Sequence, residues 1–239
     1  MQNHSESKFL RGKQSRITEF LFTLKIVREF IKGFRTLHFV GPCVAIFGSA
    51  RFKEGHPFYT LGMDVAKAVT DLGFTVMTGG GPGIMEAANR GAKEAGGFSV
   101  GCNITLPNEQ KENPYLDKMV LFNHFFVRKV LMFKYSYAFV VLPGGVGTID
   151  EMFEALTLIQ TKKVSGFPVI LMGTDYWKPL IEQFKVLYAE KTVTANELSS
   201  LLVTDNLEEM KSHIRVNAIE KFKLTNQKPV RRFSWLFEK

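Results

Sequence analysis

The 239-residue chain is 45% apolar and carries 31 Lys/Arg against 23 Asp/Glu, a formal charge of +8. That apolar share supports one sizeable core, and the length does not demand a second domain. No run of 18 apolar residues and no secretory leader pattern stands in it, which excludes a transmembrane helix by hydropathy and sets the expectation of a cytoplasmic protein.

The charge sits at the ends. Residues 1–41 hold eight Lys/Arg against three Glu, residues 220–239 hold six against two, and the stretch between holds seventeen against eighteen acidic residues. The body is therefore close to neutral, and a nucleic-acid footprint on its folded face is not expected. Three regions follow: a basic extension (1–41), a nearly neutral body (42–219) and a basic, aromatic tail (220–239).

In the extension, Phe20, Leu24, Val27, Ile31 and Phe34 recur at helical spacing, opposite Lys25, Arg28 and Lys32. This predicts a helix packed on its own domain or on a partner subunit, with contact to a membrane surface as the alternative. From residue 43 onward, short apolar runs alternate with helical periodicity, the pattern of parallel βαβ units. Strands are predicted at 43–47, 75–78, 98–102, 119–122, 138–142, 168–171 and 201–203. Helices are predicted at 58–72, 84–95, 127–135, 149–160, 177–189 and 207–219. The fold class is thus α/β, a mostly parallel sheet with helices on both faces, and ligands in such sheets bind beyond the carboxyl ends of the strands. Cys43 and Cys102 fall inside strands, are too few for a disulfide framework or a paired zinc site, and read as inert core residues.

Two strand ends share one pattern. Thr78-Gly-Gly-Gly-Pro-Gly-Ile-Met-Glu86 and Leu142-Pro-Gly-Gly-Val-Gly-Thr-Ile-Asp150 both run strand, glycine turn, helix, carboxylate, and could face one ligand from two sides. A phosphate at a helix N-terminus needs bare backbone N–H groups, which Gly144, Gly145, Val146, Gly147 and Thr148 can present. The Thr148 hydroxyl is expected to cap the helix and to donate to a phosphate oxygen. No G-x-x-x-x-G-K-[ST] is present, which argues against triphosphate hydrolysis, and Glu86 stands where a dinucleotide fingerprint would have its third glycine. Glu151 follows one turn into the second helix. An acidic residue there can simply complement the helix dipole, a description that suits Asp150 and Glu154 better. Arg128 and Lys129 open a helix whose dipole they do not complement, so an anion is the natural partner for their charge. His124, beside Phe125 and Phe126, reads as a packed or capping residue.

Pro143-Gly-Gly-Val-Gly-Thr-Ile-Asp-Glu151 fits P-G-G-x-G-T-x-x-E, and Arg128-Lys129 its upstream R-K element. With Phe47-Gly-Ser-Ala50 and Gly79-Gly-Gly-Pro-Gly-Ile-Met-Glu86, these motifs make residues 42–205 resemble the LOG family, cytokinin-activating phosphoribohydrolases often mislabelled lysine decarboxylases. The resemblance implies a Rossmann-like fold, a homodimer or larger assembly, no metal or organic cofactor, and cleavage of a nucleoside 5′-monophosphate to free base and ribose 5-phosphate. It places the essential pair on Arg128 and Glu151, the phosphate-binding backbone on Gly144–Thr148, and further substrate contacts on Ser49, Gly80, Gly81, Met85 and Lys129. A carboxylate near the anomeric carbon suits the oxocarbenium-like state of N-glycosidic cleavage. The alternatives are a non-catalytic nucleotide-binding or carrier protein on the same fold and, third, a literal decarboxylase, for which no lysine sits in a recognisable pyridoxal phosphate motif. The chain departs from compact family members in both terminal extensions.

Overall fold

The computed structural model describes residues 6, 9, 10, 12–106 and 113–224. Its seven strands are β1 (Cys43–Phe47), β2 (Thr75–Thr78), β3 (Ser99–Ile104), β4 (Lys118–Phe122), β5 (Ser136–Val141), β6 (Val169–Leu171) and β7 (Leu201–Val203). They form one sheet in the order β4-β3-β2-β1-β5-β6-β7, and every pairing is parallel. The chain winds outward from β1 to β4, then crosses back to β5 beside β1. That reversal opens a crevice at the carboxyl ends of β1 and β5, where α/β sheets place their ligands.

The helices are α1 (Arg16–Leu37), α2 (Pro57–Asp71), α3 (Ile84–Glu94), α4 (Phe125–Tyr135), α5 (Val146–Gln160), α6 (Thr174–Ala189), α7 (Ala195–Leu198) and α8 (Leu207–Ile214). Strand side chains alternate between two cores. Cys43, Ala45 and Phe47 of β1 meet Leu37, Leu131, Met152 and Trp177 from α1, α4, α5 and α6. Val44 and Ile46 meet Val65, Ile84 and Met210 from α2, α3 and α8. Both faces of the sheet are therefore covered, which is why its strands read as unbroken apolar runs.

Local chemistry sets the helix ends. His56 Nδ1 accepts from the N–H of Phe58, with Pro57 as first residue of α2. Asn206 accepts from the N–H groups of Glu208 and Glu209 to start α8. The final helix, expected to run to residue 219, instead passes into a π-helical stretch over Arg215–Glu220. The four-residue α7, absent from the expected elements, is held by a capping box between Thr194 and Glu197.

The extension is helical, yet the face that packs is not the stripe singled out above. Phe22, Glu29, Gly33 and Leu37 turn inward, whereas Phe20, Leu24, Val27, Ile31 and Phe34 are exposed. Gly33 sits tightly against Leu131 and Phe122. Among the described residues, no helix is long and apolar enough to cross a membrane. The tail residues Arg231, Arg232, Phe233, Trp235 and Phe237 lie outside the described residues.

Candidate active site

Ser49, two residues after β1, holds both glycine turns. Its N–H donates to the carbonyl of Pro143 (3.0 Å) and its carbonyl accepts from the N–H of Ile84 (3.0 Å). The first turn is pressed on this loop: Gly83 has φ +71°, and a Cβ there would lie 2.5 Å from the Ser49 carbonyl oxygen. Only glycine fits. Behind the turn, Asn89 accepts from the Thr78 hydroxyl (2.6 Å) and from Asn113 Nδ2 (3.0 Å) and donates to Ser99 (2.7 Å), a buried polar network.

The second turn opens α5. Gly145 is its N-cap residue and no side chain caps it, so the Thr148 hydroxyl does not have the capping role expected of it. Thr148 is buried third in the helix, where a Cβ on Gly144 would collide with its side chain. Gly145 and Gly147 differ: neither has positive φ, and a Cβ on either would meet nothing within 4 Å. Neither backbone geometry nor packing requires glycine at those two positions. What glycine supplies there is main chain left bare toward the cleft. From the far side, the Tyr176 hydroxyl donates to the Gly144 carbonyl (2.8 Å). Tyr176 is in turn placed by Asp205, whose carboxylate accepts from the N–H of Gly173 (2.7 Å) and from Thr174 to secure the start of α6. Burial works against that carboxylate, but these hydrogen bonds outweigh it and hold Asp205 below the ordinary aspartate range.

Arg128 and Glu151 converge. Arg128, in the first turn of α4, donates from Nε to the Cys102 carbonyl (2.8 Å) and from a terminal nitrogen to Glu151 (3.1 Å). Both side chains are largely out of solvent. Burial pushes the Glu151 carboxyl above the usual glutamate value, and the cations of Arg128 and Lys129 only partly offset it. Burial also pushes the Cys102 thiol up to about 12, as expected of an inert core cysteine. Lys129 faces the other side of the helix pair, 3.0 Å from Asp150 and 2.9 Å from Glu154. Burial opposes its charge, yet those carboxylates hold Lys129 above the ordinary lysine value.

These groups meet in a cleft of about 640 Å³, in the range of small-molecule sites. Ser49, Met85, Arg128, Gly144 through Thr148 and Glu151 line it. Three residues singled out from sequence stand behind its wall: Lys129, engaged as above; Gly80, whose N–H donates to Thr78; and Gly81, whose carbonyl accepts from Asn113. Gly79 takes their place on the surface. The paired carboxylates of the two turns also diverge, since Asp150 borders the cleft while Glu86 accepts from the Tyr59 hydroxyl (3.1 Å). Arg51, Phe52, Asn103, Phe125 and Tyr176 also line it and were not foreseen. Asn103 is buried at the end of β3, where an asparagine in an apolar run was the one available signal.

A family profile described as "Possible lysine decarboxylase" matches residues 85–214, which is more than half of the chain. Several curated relatives carry the name cytokinin riboside 5′-monophosphate phosphoribohydrolase. The one from Rhodococcoides fascians is 27% identical over 169 residues, covering 69% of this chain and 85% of its own length. The one from Mycobacterium tuberculosis is 36% identical over 100 residues, and the match spans 41% of this chain and about half (53%) of that relative. Among solved structures, the molybdenum cofactor binding protein from Rippkaea orientalis superposes with a TM-score of 0.56 at 20% identity, over 74% of this chain and 96% of that one, a likeness of fold. The α/β sheet, the P-G-G-x-G-T-x-x-E turn and the matched profile together place this chain in the LOG family.

Proposed function

We propose that this protein hydrolyses the N-glycosidic bond of a nucleoside 5′-monophosphate, AMP or an N6-modified AMP, releasing the free base and ribose 5-phosphate. The observation that carries the reading is the pairing of Arg128 with buried Glu151 in the same cleft as the uncapped N-terminus of α5. The relatives named phosphoribohydrolases support it.

In this reading the 5′-phosphate lies on the bare N–H groups from Gly144 to Gly147, that of Thr148 being given to the Gly145 carbonyl (3.0 Å), where the helix dipole favours an anion. The sugar then faces Glu151. As the C1′–N bond lengthens, its electron pair passes to the base and positive charge builds at C1′, which the carboxylate stabilises. Water attacks C1′ and gives its proton to Glu151, and the departing base acquires a proton in exchange. Arg128 keeps Glu151 oriented and balances charge on phosphate or base.

The test is to incubate the purified protein with AMP and a panel of other monophosphates and follow free base and ribose 5-phosphate by chromatography. Release of both in equal amounts, lost in Glu151→Gln with folding intact by circular dichroism, is the expected result. Binding of AMP without release of any base would overturn hydrolysis in favour of a carrier on the same fold.

A further inference from the structure

Asn103 ends the face of β3 that looks toward α3. Val100, Cys102 and Ile104 alternate onto the opposite face and join the core under α1 and α4, which turns Ser99, Gly101 and Asn103 the other way. Two of those three are accounted for. Ser99 accepts from Asn89, and Gly101 leaves room for Gly80, whose Cα would lie 3.0 Å from a Cβ there. Asn103 is only 3% exposed, and its Oδ1 accepts from the N–H of Ile104 (2.7 Å). That contact fixes which end of the amide is oxygen. Nδ2 has no partner among the described residues, yet it is not one of the atoms sealed from solvent without one, which are Thr70 Oγ1, Ser136 Oγ and His213 Nε2. Since the side chain lines the cleft, it is the cleft that its N–H groups face.

Such a donor costs the fold, because a nearly buried N–H gives up water without a replacement. The role toward Ile104 needs only an oxygen, so the N–H groups call for a separate reason. Arg128 ties the position to the reacting centre. One guanidinium runs from the Cys102 carbonyl (2.8 Å) to Glu151 (3.1 Å), so Asn103 follows directly on the anchor of the Arg128–Glu151 pair. The phosphate-facing turn stands at the end of β5, and β3 lies beyond β1 and β2 from it. A nucleotide held by its phosphate at β5 and by its sugar at Glu151 thus extends its base toward Asn103. Around the amide, Met85, Ile104, Leu106 and Phe125 are apolar. An apolar slot with one placed donor suits a flat heteroaromatic ring better than a ring of hydroxyls.

We propose that Asn103 reads the base: its Nδ2 donates to a purine ring nitrogen one carbon away from the glycosidic nitrogen, N7 or N3. The contact is a matter of binding, and its effect on rate rests on the hydrolase reading above. As the C1′–N bond breaks and its electron pair enters the base, that ring nitrogen gains negative charge, so the hydrogen bond strengthens toward the transition state. The amide keeps its proton throughout. Asn103 thus selects the base and favours its departure, whereas ribose 5-phosphate, which has no base, does not reach it.

Binding is measured by calorimetry in the Glu151→Gln background, to keep the ligand intact, and turnover in the otherwise wild-type chain. Asn103→Ala is expected to weaken AMP about tenfold and ribose 5-phosphate less than about twofold, and to lower kcat for AMP at least about tenfold. Asn103→Asp keeps an oxygen for Ile104 and removes the donor. It is expected to show the same losses with Tm near wild type, which separates the donor from any part the residue plays in folding. Deaza analogues identify the atom: whichever of 7-deaza-AMP and 3-deaza-AMP lacks the contacted nitrogen is bound alike with and without the Asn103 amide, while the other behaves as AMP does. Equal losses for AMP and ribose 5-phosphate, AMP affinity unchanged in both variants, or both analogues as sensitive to Asn103→Ala as AMP would each overturn the assignment. If the wild type releases no base and the AMP-selective loss of affinity persists, the hydrolase reading fails and the base contact stands.

Discussion

Arg128 and Glu151 lie 3.1 Å apart although they come from different helices, and the carboxyl of Glu151 is nonetheless held above its ordinary value because burial outweighs the arginine. If Glu151 acts as a carboxylate, kcat/KM falls on the acid side with an apparent pKa above the usual glutamate value of 4.5. Replacing Arg128 by Gln removes the opposing cation and moves that limb higher still. The substrate's own phosphate, titrating near pH 6 as phosphate monoesters do, stays where it is in both proteins, so the shift between the two profiles isolates Glu151. Identical acid limbs would exclude Glu151 as the titrating group.

The same shift bears on stability. A carboxyl whose folded pKa is raised contributes stability below its unfolded value, and that contribution is lost as pH rises through the folded pKa. At pH 7 the charged Glu151 is thus a cost to the fold. Glu151→Gln is expected to lower turnover by about a hundredfold or more while its Tm at pH 7 stays at or above that of the wild type. A clear drop in Tm would mean that the ion pair with Arg128 serves the fold first.

Gly83, Gly144, Gly145 and Gly147 of the two turns separate into two kinds. Gly83→Ala is expected to destabilise by about 2 kcal/mol or more, since it combines a left-handed backbone with contact against the Ser49 carbonyl. Gly144→Ala is expected to destabilise by displacing Thr148. Gly145→Ala and Gly147→Ala have room, so their Tm values should stay near wild type while KM for AMP rises several-fold as the methyl crowds the bare main chain. Equal thermal losses at all four positions would remove the distinction.

Much of the scaffold was legible because each strand lies between two helical layers and reads as a short apolar run; β1, β2 and β7 have the expected bounds. Helix starts were harder to place. α5 begins at Val146 rather than 149 because its N-cap is a glycine with no capping side chain, and α4 begins at Phe125, two residues before its first buried apolar residue. α7 carried its signal in Thr194-Ala-Asn-Glu197 but is too short for periodicity. In the site, motif spacing brought Arg128, Glu151 and Ser49 into view, whereas Tyr176 reaches Gly144 from a separate helix, a contact that only the three-dimensional winding creates. Lys129 shows the converse. Adjacency to Arg128 in sequence turns it toward Asp150 and Glu154, since successive helical residues point about 100° apart.

Tyr176 supports the phosphate-facing turn by one hydrogen bond to the Gly144 carbonyl. Tyr176→Phe keeps the ring beside Phe58 and Trp177 and removes only the hydroxyl. The expected cost is about 1 kcal/mol or less in stability and a rise in KM larger than the fall in kcat. A change confined to kcat would place the hydroxyl nearer the chemistry than the turn.

Glu29 is the joint between the extension and the catalytic domain. It is buried, and its carboxylate accepts from the Asn123 N–H and Nδ2 (2.6 Å each) and contacts His124 Nδ1 (2.7 Å). Glu29→Ala removes the acceptor shared by the two Asn123 groups and the carboxylate beside buried His124 and is expected to cost about 1–2 kcal/mol, whereas Glu29→Gln, which keeps an acceptor oxygen, costs less. The damage should reach α4, because the His124 carbonyl accepts from the Arg128 N–H (3.2 Å). Hydrogen exchange at residues 125–129 is the direct readout: faster exchange there in Glu29→Ala, with α8 unchanged, shows that α1 braces the helix that carries Arg128. Exchange that rises uniformly across the sheet would instead make Glu29 a general stabiliser with no particular hold on α4.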